Sequence, residues 1–292
     1  MFIKILFYEI RMNRGLAIGL LILTGIVWST GGFLIKLIPW PPLVIAGLRS
    51  GFTAIIILFY SRPKSFRFGK STWAGAICYS LMVICFVAGN KLTSSGNVIL
   101  IQYAAPVYVA LFGYYILGER STKIDWIAII IILTGLVCFF LEELSFQQFW
   151  GNALALLSGL GFAGLTLFMR KQKNDNPIDS VLVGNIITFL VCSPFYHNGV
   201  TFEPVNWAYI IFLGTFQLGL AYVLYSIAIK YVSALDAIIY PVIEPILNPI
   251  LALIFIGETM TDTAKLGGLL VILGVVGRGV LKEYFIVKEN PS

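Results

Sequence analysis

The stretch that decides the fold reads Ala234-Leu-Asp-Ala-Ile-Ile-Tyr240-Pro-Val-Ile-Glu244-Pro-Ile-Leu-Asn248-Pro-Ile-Leu-Ala-Leu-Ile-Phe-Ile-Gly-Glu258. It is long and apolar enough to cross a bilayer as a helix, which takes about 20 such residues. Within it Asp236, Tyr240, Glu244 and Asn248 recur at four-residue spacing, with Pro241, Pro245 and Pro249 in step beside them. Positions i and i+4 share a helix face, so the polar groups form one stripe and the prolines a neighbouring one. Each proline removes a backbone donor and frees the carbonyl four residues back. Lipid cannot serve such a carbonyl, so the segment belongs inside protein or along a wet cavity. A carboxylate near its middle is a functional candidate, because ionisable groups at that depth are expensive.

The surrounding chain has the same character. Of its 292 residues, 59% are hydrophobic and 12% charged, against about 25% charged in soluble domains. Ten apolar runs follow one another, at roughly 16–36, 43–60, 72–91, 96–117, 125–141, 151–169, 180–195, 206–229, 235–256 and 266–281. The expected fold class is therefore an all-α integral membrane protein with ten transmembrane helices. Residues 1–14 read as a short basic lead to a retained first helix, since no small-residue cleavage site follows the first run. With the amino terminus inside, Lys36, Lys91 and Lys265 face outward, Arg49 lies within a run, and the remaining Lys and Arg face inward. That bias predicts a multi-pass protein of the cytoplasmic membrane with both termini inside.

The net charge of +6 sits in these short loops, so it reads as topology and not as a nucleic-acid face. Cys78, Cys85, Cys138 and Cys192 lie in apolar runs without metal spacing, which predicts inert thiols and no disulfide framework. The single histidine, His197, is in a loop, and no zinc spacing or phosphate loop accompanies it. An intramembrane enzyme is accordingly disfavoured, and no metal or cofactor is expected. A channel finds no ring of charges or carbonyl filter here.

The chain also repeats itself. Shifted by 139, Lys91, Ser94, Ile99, Pro106, Gly118-Glu119 and Thr122 fall on Lys230, Ser233, Ile238, Pro245, Gly257-Glu258 and Thr261. Shifted by 136, Gly15, Ala17, Leu20-Leu21, Gly25 and Thr30 fall on Gly151, Ala153, Leu156-Leu157, Gly161 and Thr166. Five spans per copy is an odd number, so the second copy enters the membrane from the opposite side, the inverted repeat of many secondary transporters. The division follows: a lead at 1–14, a first repeat at 15–141, a second at 151–281 and a cytoplasmic tail at 282–292.

Lys91-Leu-Thr-Ser-Ser through Pro106 to Leu117-Gly118-Glu119-Arg120, and Lys230-Tyr-Val-Ser-Ala through Pro245 to Ile256-Gly257-Glu258, resemble the doubled signature of the EamA family in the drug/metabolite transporter superfamily. Trp28-Ser29 and Leu48-Arg49 are similar to that pattern too. The resemblance implies two inverted five-helix halves around a central cavity, lined mainly by the first, third, fourth, sixth, eighth and ninth spans. It also implies export of amino acids and related metabolites. The copies differ where chemistry would lie: Asn97, Ile101 and Ala105 stand at the positions of Asp236, Tyr240 and Glu244.

The candidate solute-binding residues are Glu244, Tyr240, Asn248, Gln102, Tyr103, Gln217, Tyr222 and Trp28. Glu244 is also the proton-coupling candidate, since low-dielectric surroundings disfavour the charged carboxylate and let a proton come and go. The competing reading is a protonated Glu244 bonded to a proline-freed carbonyl. For the amides and phenols the competing reading is interhelical hydrogen bonding. Asp236 is expected to start a helix with Ser233 as its cap, and Arg49, between Gly47 and Gly51, to serve structure by snorkelling outward or pairing with backbone carbonyls. Glu119 is expected to need a specific partner, such as the amino end of a helix.

Function then reads as a secondary transporter of a small amphipathic solute, an amino acid first, with efflux favoured and proton coupling as a further expectation. The lipid bilayer and the solute are its partners, and the chain acts as a monomer or homodimer. A sugar or phosphate-ester exchanger is the alternative. Anionic cargo would call for buried Lys or Arg in the middle, where the sequence offers acid and no base.

Overall fold

The computed structural model describes residues 12–62, 68–139, 141, 148–197, 199–247 and 262–289, and the described residues are helical with no strands. The helices are α1 (Arg14–Trp28), α2 (Gly31–Leu37), α3 (Pro42–Ser61), α4 (Lys70–Leu92), α5 (Ser95–Gln102), α6 (Ala105–Leu117), α7 (Lys123–Phe139), α8 (Phe149–Lys171), α9 (Ile178–Cys192), α10 (Pro204–Phe212), α11 (Ala221–Ala228), α12 (Ala234–Ile239) and α13 (Asp262–Glu289). Seven helical stretches are long and apolar enough to cross a membrane: Arg14–Leu37, Pro42–Ser61, Lys70–Leu92, Ser95–Leu117, Phe149–Lys171, Ile178–Phe195 and Pro204–Ala228. The remaining three sequence runs fall on α7, α12 and α13. α7 has 17 residues, about 26 Å of helix at 1.5 Å per residue, short of a ~30 Å hydrocarbon core. α12 leads, through residues helical to Leu247, into the part of the ninth run outside the described residues.

Local chemistry sets the helix ends. Asn13 caps α1 by accepting from the Leu16 N–H at 2.9 Å. Ser94 caps α5 by accepting from the Asn97 N–H at 3.0 Å. Ser233 and Asp236 form a reciprocal capping box at the start of α12, the role expected of that pair. α6 ends on Gly118 at φ 75°, the left-handed geometry that glycine adopts without strain.

Prolines break the longer spans where the sequence says they should. Pro106 offers no N–H to the Gln102 carbonyl, and the fourth span changes course between α5 and α6. In the ninth span α12 stops at Ile239 and a 3-10 turn runs Tyr240–Val242 around Pro241. The eighth span is wound as a π-helix over Leu213–Leu220, which no sequence pattern announced.

α4 packs on α8, α1 on α11, α3 on α9 and on the π-helix, and α7 on α13. Two lysines related by the 139 shift each donate to a backbone carbonyl. The Lys91 ammonium donates to the Ile38 carbonyl at 2.6 Å, and Lys230 donates to the Asp175 carbonyl at 2.7 Å.

One end of the bundle is held by buried charge. The Arg278 side chain is fully buried and bonds Asp125 at 2.9 Å and Asp236 at 2.6 Å, tying α13 to α7 and α12. Lys282 stands 3.7 Å from Asp125 and 3.6 Å from Asp236, and Arg14 stands 3.7 Å from Asp236. Beside them Arg170 donates to Glu119 at 2.8 Å and to the carbonyls of Ile229 and Lys230 at 3.0 and 2.9 Å, neutralising the carboxyl end of α11. The other Glu119 oxygen accepts from the Ala234 N–H at 2.9 Å, so its partner is the amino end of a helix, as expected; its counterpart Glu258 lies outside the described residues. Removing one member of such a buried set leaves uncompensated charge. Arg278→Gln is therefore expected to destabilise the protein by about 3 kcal/mol, seen as a lower thermal unfolding midpoint of the detergent-purified chain.

Candidate functional site

The interrupted spans meet around a cavity of about 40 Å³, space for a few waters at roughly 10–15 Å³ each. Trp28 from α1, Phe86 and Met82 from α4, Phe162 from α8 and Tyr222 from α11 form its apolar wall. The indole of Trp28 lies 5.2 Å from the Tyr222 ring and 5.6 Å from Phe162, centroid to centroid. Polar groups enter this wall at Gln102, Gln217, Arg49 and Glu244.

Each polar group is aimed by its neighbours. Gln102 donates to Ser158 Oγ at 2.7 Å, and Ser158 donates to the Met82 carbonyl at 3.0 Å, so three spans fix that amide. Gln217 sits in the π-helix, a device that recurs at functional sites because it rotates side chains out of helical register. Its amide lies against Gly31: a Cβ there would lie 2.5 Å from Gln217 Nε2, so a larger residue would displace the amide from this position. Gln217 Oε1 and Trp28 Nε1 are both buried without a hydrogen-bond partner.

Glu244 is 7% exposed and shares a proton problem with Tyr103. The Tyr103 hydroxyl lies 2.9 Å from the Pro241 carbonyl and 2.9 Å from Glu244 Oε2. The Pro241 carbonyl is the one that Pro245 leaves without a helical donor. A hydroxyl has one hydrogen to donate. With Glu244 ionised, the Tyr103 hydroxyl can donate to only one of its two acceptors. Both are served together when the carboxyl carries a proton and donates to Tyr103, which then donates to Pro241. Glu244 thus has two hydrogen-bonding states that exchange by moving one proton.

Arg49 is the residue that sequence reasoning misplaced. It is 1% exposed, lines the cavity, and its Nε and Nη1 have no hydrogen-bond partner. It does not snorkel, and the middle of the protein holds a base as well as an acid. The signal was in the glycines. A Cβ on Gly47 would meet Cys192 and Tyr196, and one on Gly51 would meet Phe189, so both glycines face α9. A residue midway between two positions four apart points about 200° away from them, at 100° per residue. Thr53 fixes the backbone, its hydroxyl lying 2.9 Å from the Arg49 carbonyl and 2.8 Å from that of Gly214.

Of the residues singled out from sequence, Glu244, Gln102, Gln217, Tyr222 and Trp28 meet in one cavity. Tyr103 stands behind Glu244 and orients it. Tyr240 turns away toward α13, where a Cβ on Gly279 would lie 3.3 Å from its hydroxyl. The 3-10 turn at 240–242 breaks the four-residue stripe that placed it beside Glu244. Asn248 lies outside the described residues.

The EamA-like transporter family model matches residues 15–141 and again 149–278. The chain belongs to that family of membrane transporters and is a multi-pass membrane protein. It is 24% identical to an uncharacterized transporter of Archaeoglobus fulgidus, covering 88% of this chain and 93% of that one. It is similar at 25% identity to the uncharacterized transporter YwfM of Bacillus subtilis, over 85% of this chain and 88% of the relative. It is also similar to the threonine/homoserine exporter RhtA of Salmonella typhimurium, at 24% identity over 80% of each chain. A crystal structure with 16% sequence identity has the same fold, with a TM-score of 0.79 over 94% of this chain and 99% of its own.

Tyr103→Phe keeps the ring and removes the hydroxyl that bonds the buried Glu244 carboxyl and the Pro241 carbonyl. Leaving a buried acceptor unsatisfied costs about 1–3 kcal/mol, so this variant is expected to unfold several degrees lower in detergent than the wild type. Tyr115→Phe, at an exposed position, serves as the control and should not shift.

Proposed function

We propose that this protein is a secondary transporter that moves an amino acid, or a related small amphipathic solute, across the cytoplasmic membrane by alternating access, with efflux as its working direction. Ten spans in two inverted five-helix halves, residues 15–141 and 151–281, with both termini cytoplasmic, are the architecture that goes with this reading. The chain works as a monomer or homodimer, without cofactor and without catalysis.

One observation carries the reading: a buried carboxyl, Glu244, lines a largely apolar cavity and lies 2.9 Å from the Tyr103 hydroxyl, which also lies 2.9 Å from the Pro241 carbonyl. Binding sites for small solutes combine apolar walls with a few placed polar groups. A carboxyl that must be ionised to hold an ammonium group and protonated to serve Tyr103 fully couples solute to proton. Protonation from one side displaces the solute, and deprotonation on the other readmits it. The likeness to a threonine/homoserine exporter supports an amino acid as the first solute to test.

The test is transport by purified protein in liposomes. Radiolabelled L-threonine, L-leucine and L-phenylalanine are loaded inside, and a pH gradient is imposed. At least one is expected to leave at a saturable rate that rises several-fold with the gradient. Glu244→Gln is expected to abolish that response to pH while leaving the protein folded. Gradient-driven efflux that persists in Glu244→Gln would remove proton coupling through this residue, and movement no faster than in protein-free liposomes would remove the amino-acid reading.

A further inference from the structure

The cavity holds one charge that the proposed coupling does not use. Arg49 is a permanent cation with a 1% exposed side chain and two nitrogens lacking any partner. An unpaired guanidinium in such surroundings is costly, and the protein has visibly built around it. Gly47 and Gly51 let α9 pack closely on the far face of α3. Gly214 allows the π-helix to approach so closely that a Cβ there would lie 2.5 Å from the Arg49 carbonyl. Charged partners were available and are used elsewhere: Arg278 takes two carboxylates and Arg170 one. Arg49 is left open.

Glu244 lines the same cavity, yet no ion pair joins it to Arg49 among the described residues. Tyr222 stands close enough to both to interact with each charge. The cavity is thus bipolar, with an acid and a base on a shared aromatic wall. A phosphate monoester, carrying nearly two negative charges, would meet one cation and be repelled by ionised Glu244. A simple amine would leave Arg49 unserved. A molecule with one carboxylate and one ammonium group serves both. A planar guanidinium fork matches a carboxylate in particular, accepting it through two parallel N–H bonds.

From this geometry we infer that the transported solute is a zwitterion, its carboxylate gripped by Arg49 and its ammonium group directed to Glu244. The inference rests on the transporter reading above and narrows its substrate class. Arg49 is then the residue that discriminates a free amino acid from its ester, amide or amine.

The experiment separates the two ends of the solute. The full chain in lipid nanodiscs is titrated at pH 7 with L-threonine, L-leucine and L-phenylalanine, each beside its methyl ester and its 2-hydroxy acid, and binding is read from the rise in unfolding temperature. At least one free amino acid should bind the wild type, with its ester and its hydroxy acid each at least tenfold weaker. In Arg49→Gln that amino acid should bind at least tenfold more weakly, while the ester keeps its wild-type affinity. Arg49→Lys, which keeps the charge and loses the fork, should fall between. An ester or hydroxy acid that binds the wild type as tightly as the free acid overturns the inference and leaves the amino-acid reading standing. So does Arg49→Gln binding the free acid unchanged. Failure of every compound to bind the wild type sinks both. Should the Arg49 variants not fold, the wild-type comparison of acid with ester still decides.

Discussion

A backbone carbonyl that loses its helical donor inside a membrane protein must find another, because lipid supplies none. The rest of the site hangs on how this chain meets that requirement at Pro241. Pro245 removes the donor, Gly25 lets the first span close in on the exposed oxygen, and Tyr103 crosses from the fourth span to donate to it. The same hydroxyl then fixes Glu244. One proline therefore joins the first, fourth and ninth spans and sets the orientation of the buried acid. At the matching position of the other copy, Pro106 frees the Gln102 carbonyl, and a Cβ on Gly159 would come within 2.8 Å of that oxygen. There the site is closed by a close glycine contact alone. The two copies solve one backbone problem in two ways, and only one of the solutions carries a titratable group.

At the end that carries Arg14 and Arg278, Asp125, Asp236 and Glu119 each meet at least one cation. Around the cavity, Arg49, Gln217 and Trp28 all keep buried polar atoms without partners. Native proteins leave few such atoms, and each asks for a reason. Three on the wall of one cavity would be served together by the proposed solute, with acceptors for the indole and guanidinium and a donor for the amide.

Much of this was legible in the sequence, and the failures have definite causes. The four-residue stripe in 234–258 drew attention to Glu244, which lines the cavity, and Ser233 was legible as a cap. Those signals depend on spacing along one helix or on local hydrogen bonding, which a linear sequence records. Tyr240 was misjudged because the stripe assumed unbroken α-helix, and Pro241 tightens the turn that carries it. The π-helix at 213–220 has no proline to announce it, so Gln217 was found by residue type and not by geometry. Arg49 was misread through its neighbours: the glycines were recognised as contacts, but the side on which they left the arginine was not worked out.

The same interruptions say where the site can change shape. A cavity of about 40 Å³ is small for a site that would hold an amino acid, and movement of its walls would enlarge it. Four breaks in helical bonding border it: between Trp28 and Gly31, between Gln102 and Ala105, along Leu213–Leu220, and at Tyr240–Val242. A continuous helix resists bending because each residue is tied to a neighbour one turn away, whereas a proline break or a π-turn has already surrendered some of those bonds. Movement at these four points leaves the buried ion pairs at the end of the bundle intact, since Asp125, Glu119, Arg170 and Arg278 all lie beyond them. The residues that line the cavity are thus mounted next to the joints, and the charges that hold the helices together are mounted away from them. A solute that bridges Arg49 on the second span and Glu244 on the ninth would pull on both sides of such joints at once. That is how binding energy in so small a site can be spent on shape change rather than on affinity alone.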